Sequence, residues 1–304
     1  MGEDSSYKTL RESEDREKNR AVNSLVITPD GRYIINTAQY NAIEIWEIES
    51  GKLFKTIQVN KKLNGTVKSV KITPDGHYII TGSMNGKLKV FDFITEELVW
   101  SYKTLGTMDR VEISSDGRYI ISSTYKYNRI HIYDFLKREN VQKIKLDRRI
   151  TSVAITHDNN YFLYGGANKR IDIWSLSNES TIKTLKTKKM GTILSIAVDS
   201  NMRYVVSGSF NKLIRVWDFS TGELLTTIDG HTGWVNSVII SQDDKYIISG
   251  SLDKTIKIWE LETGQLVKTF NGHKGSVNAL ATSPDGKYIA SGSSDMTIKI
   301  WQMI

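Results

Sequence analysis

Serine, histidine and aspartate, the side chains of a hydrolytic triad, recur together twice at one spacing. His231, Ser249 and Asp253 make the first set; His273, Ser291 and Asp295 make the second. A nucleophilic serine needs an exposed, strained elbow beside its base. Both serines lie instead in "SGS" runs that read as packed strand. His77, His131 and His157 stand apart, and none meets Asp, Glu or His at a metal-ligand spacing such as HExxH. With no cysteine there is no thiolate nucleophile, thiolate metal site or disulfide framework. No GxGxxG opens a helix, and no GxxxxGK[ST] occurs. The expectation is a chain that is not an enzyme, with no catalytic residues, no metal and no cofactor.

Bulk properties narrow the class. The composition is 39% apolar and 10% aromatic, ample for a core. No apolar run approaches the ~18–20 residues of a membrane span, and the acidic start lacks the basic and apolar regions of a secretory leader. A cytoplasmic protein is expected, with the nucleus as the other compartment. The formal charge is +7, and much of the positive charge gathers in "KRENVQKIKLDRR" (137–149) and at Lys183, Lys186, Lys188 and Lys189. Such a surface steers acidic partners.

The elements that hold these residues are repeats. Tyrosine recurs after a turn signal at Tyr33, Tyr78, Tyr119, Tyr161, Tyr204, Tyr246 and Tyr288. An aromatic residue closes each following alternating run: Trp46, Phe91, Tyr133, Trp174, Trp217, Trp259 and Trp301. Runs such as "TIKIW" alternate with the period of a strand packed on one face. TPDG, SSDG and SPDG read as tight hairpin turns, and Pro29, Pro74 and Pro284 all fall within them. Four short strands in each of seven units predict an all-β, seven-bladed propeller, one domain over residues 1–304.

The chain resembles the WD40-repeat family over residues 7–304. Gly230-His231 and Gly272-His273, followed by "SGSLDKTIKIWE" and "SGSSDMTIKIWQ", carry the likeness; Trp217-Asp218 is the one literal Trp-Asp pair. The resemblance implies two structural tetrads, His231–Ser249–Asp253–Trp259 and His273–Ser291–Asp295–Trp301. It makes the triad-like sets a hydrogen-bonded network inside each blade. Elsewhere the pattern decays: Lys189, Ser207, Asn211 and Trp217 in unit 5, Tyr164 and Asn168 in unit 4, Thr81, Asn85 and Phe91 in unit 2. Blades 1–4 are therefore expected to lean on packing more than on polar networks.

Unit 7 ends at "TIKIWQMI", without a fourth strand. The other outer strands share "KTI" (55–57), "KTL" (183–185), "TTI" (226–228) and "KTF" (268–270), and the N-terminus offers "KTL" at 8–10. Residues 6–10 are therefore expected to be the outer strand of blade 7. The charged stretch 11–20 then becomes the loop into blade 1. "SYKTL" recurs at 101–105. There Tyr102 aligns with Phe270, so the two copies should sit in different registers.

The resemblance also implies a loop-rich face around the channel that commonly binds peptides. The residues flanking the first apolar residue of strand 1, and the one before the turn Asp position, should present there. Phe210, Trp234, Leu252 and Leu194 then form a large apolar group on blades 5 and 6, with Asn236 and Met84 on the same face. Lys68, Lys126 and Arg149 supply positive charge across the channel. The reading is a monomeric, non-catalytic interaction scaffold for a protein or peptide with an apolar anchor and acidic residues. One alternative is an RNA- or ribosome-associated module acting through Arg138, Lys143, Lys145, Arg148 and Arg149. The other is a sensor propeller within a larger signalling assembly.

Overall fold

The computed structural model describes residues 7–11, 21–37, 41–59 and 65–303, which form 28 strands in seven four-stranded antiparallel sheets. Each sheet is a blade of a seven-bladed propeller. Blade 6 shows the plan, with Val235–Ile240 innermost, then Tyr246–Ser251, Ile256–Glu260 and Leu266–Phe270 outermost. Each repeat tyrosine opens a second strand, and each closing aromatic is the penultimate residue of a third. The TPDG turns work as their residues dictate. Asp30 Oδ1 accepts the Arg32 N–H at 3.0 Å, and Gly31 takes φ 71°. Glycine adopts that left-handed conformation without steric cost.

The core is divided among seams. Seven clusters of buried apolar side chains lie among the described residues, each shared by two adjacent blades. Between blades 6 and 7, for example, Ile248, Ile258 and Phe270 pack on Val277, Ile289 and Trp301. Inner-strand serines add polar stitches across three seams. Ser24 Oγ accepts the Val70 N–H at 3.1 Å, Ser69 Oγ that of Val111 at 3.1 Å, and Ser195 Oγ that of Val238 at 3.0 Å.

The ring closes between the two ends of the sequence. Tyr7–Arg11 pairs antiparallel with Ile298–Gln302 and becomes the outer strand of blade 7. The strand thus runs one residue further than expected. Arg11 pairs with Ile298 instead of opening the loop, while Leu10 is the bulged residue beside it. Residue 6 and the rest of the expected charged loop, 12–20, lie outside the described residues. Leu10 is buried in the seam with blade 1, among Val22, Leu25, Ile34 and Ile298. The Lys-Thr signature has a physical reason that spacing alone does not show. Lys299 Nζ donates to Thr9 Oγ1 at 2.8 Å, as Lys257 Nζ does to Thr269 Oγ1 at 3.1 Å in blade 6. Lys8 Nζ reaches the next blade and donates to the carbonyls of Ile48 and Glu49 at 3.2 and 2.6 Å. Lys55 and Lys183 do the same to Ile94 and Phe219. Tyr102 pairs with Leu88 as Phe270 pairs with Ile256, whereas Tyr7 pairs with Trp301, so the SYKTL copies do differ in register.

Both tetrads are complete. Trp259 Nε1 donates to Ser249 Oγ at 2.8 Å, His231 Nε2 lies 2.8 Å from the same oxygen, and its Nδ1 is 2.7 Å from Asp253. In blade 7 the matching distances through Ser291, His273 and Asp295 are 2.8, 2.7 and 2.9 Å. Thr255 and Thr297 each add a 2.6 Å hydrogen bond to the aspartate. Burial opposes ionisation of Asp253 and Asp295. Hydrogen bonds from the histidine and threonine outweigh it and hold both far below the usual carboxylate range.

Three of the other blades replace part of the network with different partners. In blade 1 both Asn36 Nδ2 and Trp46 Nε1 donate to Glu44 Oε2 at 3.3 Å. In blade 4 Asp172 accepts from Thr184 at 2.6 Å and from Arg170 at 2.8 Å. Blades 1 and 4 thus depart in part from the expectation that blades 1–4 lean on packing, since charged residues supply new partners there, although the Trp174 indole N–H and Asn168 Nδ2 of blade 4 stay buried without one. In blade 5 the Lys189 carbonyl stands where histidine would, accepting from Asn211 Nδ2 and Arg215 Nη2 at 2.9 Å each. Blade 3 is poorest. His131 is 3% exposed, lies parallel to Tyr133, and has no hydrogen-bond partner for either ring nitrogen.

Two outcomes follow from closure and from His131. Deleting residues 1–10 exposes the Ile298–Gln302 edge and empties the Leu10 site. A loss on the order of 5 kcal/mol, or about 10 °C in Tm, is expected by thermal unfolding; an unchanged Tm would show the strand to be dispensable. Burial, then the charges of Lys143 and Arg129, lower the His131 pKa from 6.5 to about 4. The unfolded chain takes up that proton near pH 6.5, while the folded chain resists it until about pH 4. Stability from this group is therefore complete above pH 6.5 and falls toward pH 4, by about 3 kcal/mol in all. His131→Phe should flatten the stability profile between pH 7 and 5 in denaturant titrations. An unaltered slope would place the titrating group elsewhere.

Candidate functional site

The loop-rich end of the channel is built by β-bulges. In blades 2 to 7 the register of the inner strand slips at Lys68, Asp109, Thr151, Leu194, Asn236 and Asn278. A bulge adds a residue and re-aims its side chain. All six residues, with Asn23 of blade 1, line one recess of about 270 Å³ at the channel mouth, joined by Arg110 and Arg149. Of the residues expected from the sequence, Lys68, Arg149, Leu194 and Asn236 line this recess, whereas Phe210, Trp234, Leu252, Met84 and Lys126 do not. The 2–3 turns are tied to the start of strand 1 by backbone bonds: Met84 to Thr66, Phe210 to Thr192, Leu252 to Trp234, Ser294 to Ser276. Gln39, the equivalent in blade 1, lies outside the described residues.

Blade 3 requires a correction. Its extra turn residue shifts the frame, and Tyr125, not Lys126, donates its N–H to Thr107. Lys126 is exposed one residue beyond, 5.8 Å from the centre of the Tyr127 ring. Arg149 is committed as well. It pairs with Asp109 at 3.3 Å and lies 4.0 Å over the Tyr125 ring. The tyrosines Tyr125 and Tyr127, both exposed, escaped the sequence reading; the aromatic-rich "SSTYKYN" insertion was the available signal. Arg138, Lys143 and Lys145 lie with the outer strand of blade 3, Glu139–Lys145, and its entry turn, so the basic stretch 137–149 does not form one set with Arg149.

On blades 5 and 6, Phe210 and Trp234 stack on each other, with centroids 3.9 Å apart and planes at 28°. They remain 46% and 38% exposed, with Leu252 at 42%. Leu194 is half-buried in the channel wall, and Met84, exposed on blade 2, belongs to a different sector of the ring. The blade 6 tetrad positions Trp234. Asp253 Oδ2 accepts the Thr232 N–H at 2.9 Å, tying the 231–234 loop to the turn beneath it. Gly233 passes so close that a Cβ there would lie 2.6 Å from Asp253 N. Asn236 is less free than expected, since its Nδ2 bridges to Ser276 Oγ at 2.8 Å and to the Val277 carbonyl at 3.1 Å in blade 7.

Deeper in the channel Lys71 pairs with Glu112 at 2.8 Å. At the far mouth Ile113, Ile155, Val198 and Ile240 line a recess of about 290 Å³, with His157 at its rim. Among the described residues no group of three or more His, Cys, Asp or Glu could hold a metal ion. No helix among the described residues is long and apolar enough to cross a membrane.

Comparison with known families adds two matches. The family described as WD domain, G-beta repeat, matches residues 222–260 and 264–302. Each matched unit joins the outer strand of one blade to three strands of the next, which is why the chain's first strand is needed to finish its last blade. The cytochrome D1 heme domain, another propeller family, matches residues 42–229. A haem iron takes His, Cys, Met or Tyr as its axial ligand. None of these lines the loop-rich mouth or the channel middle. His157 is exposed on a turn at the far mouth, beside a recess of about 290 Å³. That is the low end of the ~300–1,000 Å³ of ordinary ligand pockets, and its lining offers no His, Cys, Met or Tyr besides His157. The residues do not fit the group, and the likeness is one of propeller form. No curated protein matches the chain. The matched units are the two with complete tetrads, and all seven units take the same blade form. The chain is a seven-bladed β-propeller with WD40 repeats in its C-terminal part.

Proposed function

We propose that the protein is a non-catalytic docking platform, cytoplasmic or nuclear, that binds a peptide or protein segment across its loop-rich face. The observation that carries this reading is the Phe210–Trp234 stack. Two large aromatics sit nearly half exposed beside Leu252, on loops held by a complete polar network. Exposed aromatic groups of this kind mark interaction surfaces, and tryptophan is enriched among residues that carry binding energy. The stacked rings also restrain each other, which lowers the ordering cost of binding.

The partner segment lays an apolar side chain on this stack, and its acidic residues face the basic side of the channel. The seams bear on the same reading. A rigid ring presents its loops in one arrangement, suited to recognising a segment rather than closing over a substrate.

The double variant Phe210→Ala/Trp234→Ala should fold normally, because both rings lie outside the buried seams. In affinity purification from the native source, proteins retained by the wild type should be lost from the variant at unchanged Tm. Removing one central aromatic anchor costs about 2 kcal/mol or more, roughly a thirtyfold weakening. A variant that keeps every partner would remove the stack from the binding site.

A further inference from the structure

The charges at the channel mouth do not balance, and the imbalance has a location. Three cationic side chains, Lys68, Arg110 and Arg149, share the recess with one acidic side chain, Asp109. Arg149 already holds Asp109 at 3.3 Å and covers Tyr125. Arg110 spends Nε on the Thr151 carbonyl at 3.0 Å and makes no other hydrogen bond or ion pair among the described residues, feeling Asp109 and Glu112 only at longer range. Lys68 is half-buried and meets no acceptor among them. The next cation inward, Lys71, is satisfied by Glu112, so the unmet charge stops at the mouth.

We infer that the mouth is a carboxylate site, taking one acidic side chain of a docked segment between Lys68 and Arg110. The inference deepens the docking reading above and rests on it for the source of the carboxylate. A guanidinium offers parallel N–H donors that match a carboxylate, and charge-assisted bonds of this type are the strong ones. The Asn23 amide, on the same recess, supplies a neutral donor. Burial disfavours the charge on Arg110, and Asp109 and Glu112 offset this only in part. An incoming anion removes that penalty, and low-dielectric walls strengthen the attraction. A basic side chain would meet two unpaired cations there, so the mouth selects against it. The site differs from the one charge spacing suggests: Arg110 replaces Arg149 and Lys126.

The test separates the mouth from the aromatic stack. N-acetyl-hexaglutamate amide has no apolar anchor, so it probes the mouth alone. Its affinity for the whole protein can be read by calorimetry. Lys68→Glu should weaken binding by about tenfold or more, while Lys143→Glu, an equal charge change on the outer strand of blade 3, should change it by less than about twofold. Trp234→Ala should leave it unaltered. Equal losses in the two lysine variants, or no binding at all, would overturn the carboxylate site and leave the aromatic docking reading standing. Tighter binding of an oligothymidylate of the same charge, lost in Lys68→Glu, would place nucleic acid in the mouth and also overturn it. Retained hexaglutamate binding beside partners that survive Phe210→Ala/Trp234→Ala would support the mouth while failing the stack.

Discussion

A propeller has no single core: its apolar side chains are shared out among seams, and every seam needs a blade on each side. The seam between blades 7 and 1 is therefore the constraint on which the others depend. Closing a loop of nearly 300 residues costs about 5 kcal/mol by the (3/2)RT ln n rule. Leu10 in the seam, Thr9 on Lys299 and Lys8 on the turn between the third and fourth strands of blade 1 act together against that cost. The strand completes the ladder of blade 7 and at the same time grips blade 1. One short segment joins both ends of the chain to the ring.

Polar networks grade the ring. Blades 6 and 7 hold their inner serines, histidines and tryptophans in complete tetrads, and the aspartates stay ionised because hydrogen bonds outweigh burial. Blades 1 and 4 recover part of that satisfaction by other means, with Glu44 and Asp172 on the third strand, but leave Asn36 Oδ1, Asn168 Nδ2 and the Trp174 indole N–H buried without partners. Blade 3 leaves His131 unpartnered, and blade 5 buries Arg215 with one guanidinium nitrogen unsatisfied. The Phe210–Trp234 stack bridges this gradient, with Trp234 above a complete tetrad and Phe210 above an improvised one. Buried polar groups that are fully paired rigidify their surroundings. Trp234 is thus the better-held half of the pair.

The sequence made the architecture plain because the repeat is written in the residues that pack. Tyrosine opens each second strand and an aromatic closes each third; the closing aromatics are buried or half-buried, and all the tyrosines but Tyr288 are at least half-buried, at a spacing set by strand length. The Lys-Thr register was legible for the same reason. The site was legible in outline only. Which residues face the mouth follows from the repeat, but that bulges turn them there depends on pairing between strands, which a linear pattern does not carry. Lys126 was misplaced because one inserted residue moves the frame within a turn, where no buried side chain marks the register. The commitment of Arg149 to Asp109, forty residues earlier, becomes visible only once blades 3 and 4 stand side by side.

The two ends of the channel differ in a way that gives the molecule a direction. At the far mouth the inner strands finish in Ile113, Ile155, Val198 and Ile240; at the loop-rich mouth they begin at bulges bearing Lys68, Asp109, Thr151 and Asn236. Both sets come from one strand type, six residues long at most. The pleat accounts for the regular end, since alternation on an inner strand keeps a fixed set of residues facing the axis. The bulge accounts for the other, since an extra residue interrupts that alternation and lets polar side chains face the axis without disturbing the seams. Apolar packing and polar display therefore need not compete along the inner strand. A slipped register at its first turn serves the mouth, and the remainder holds the ring.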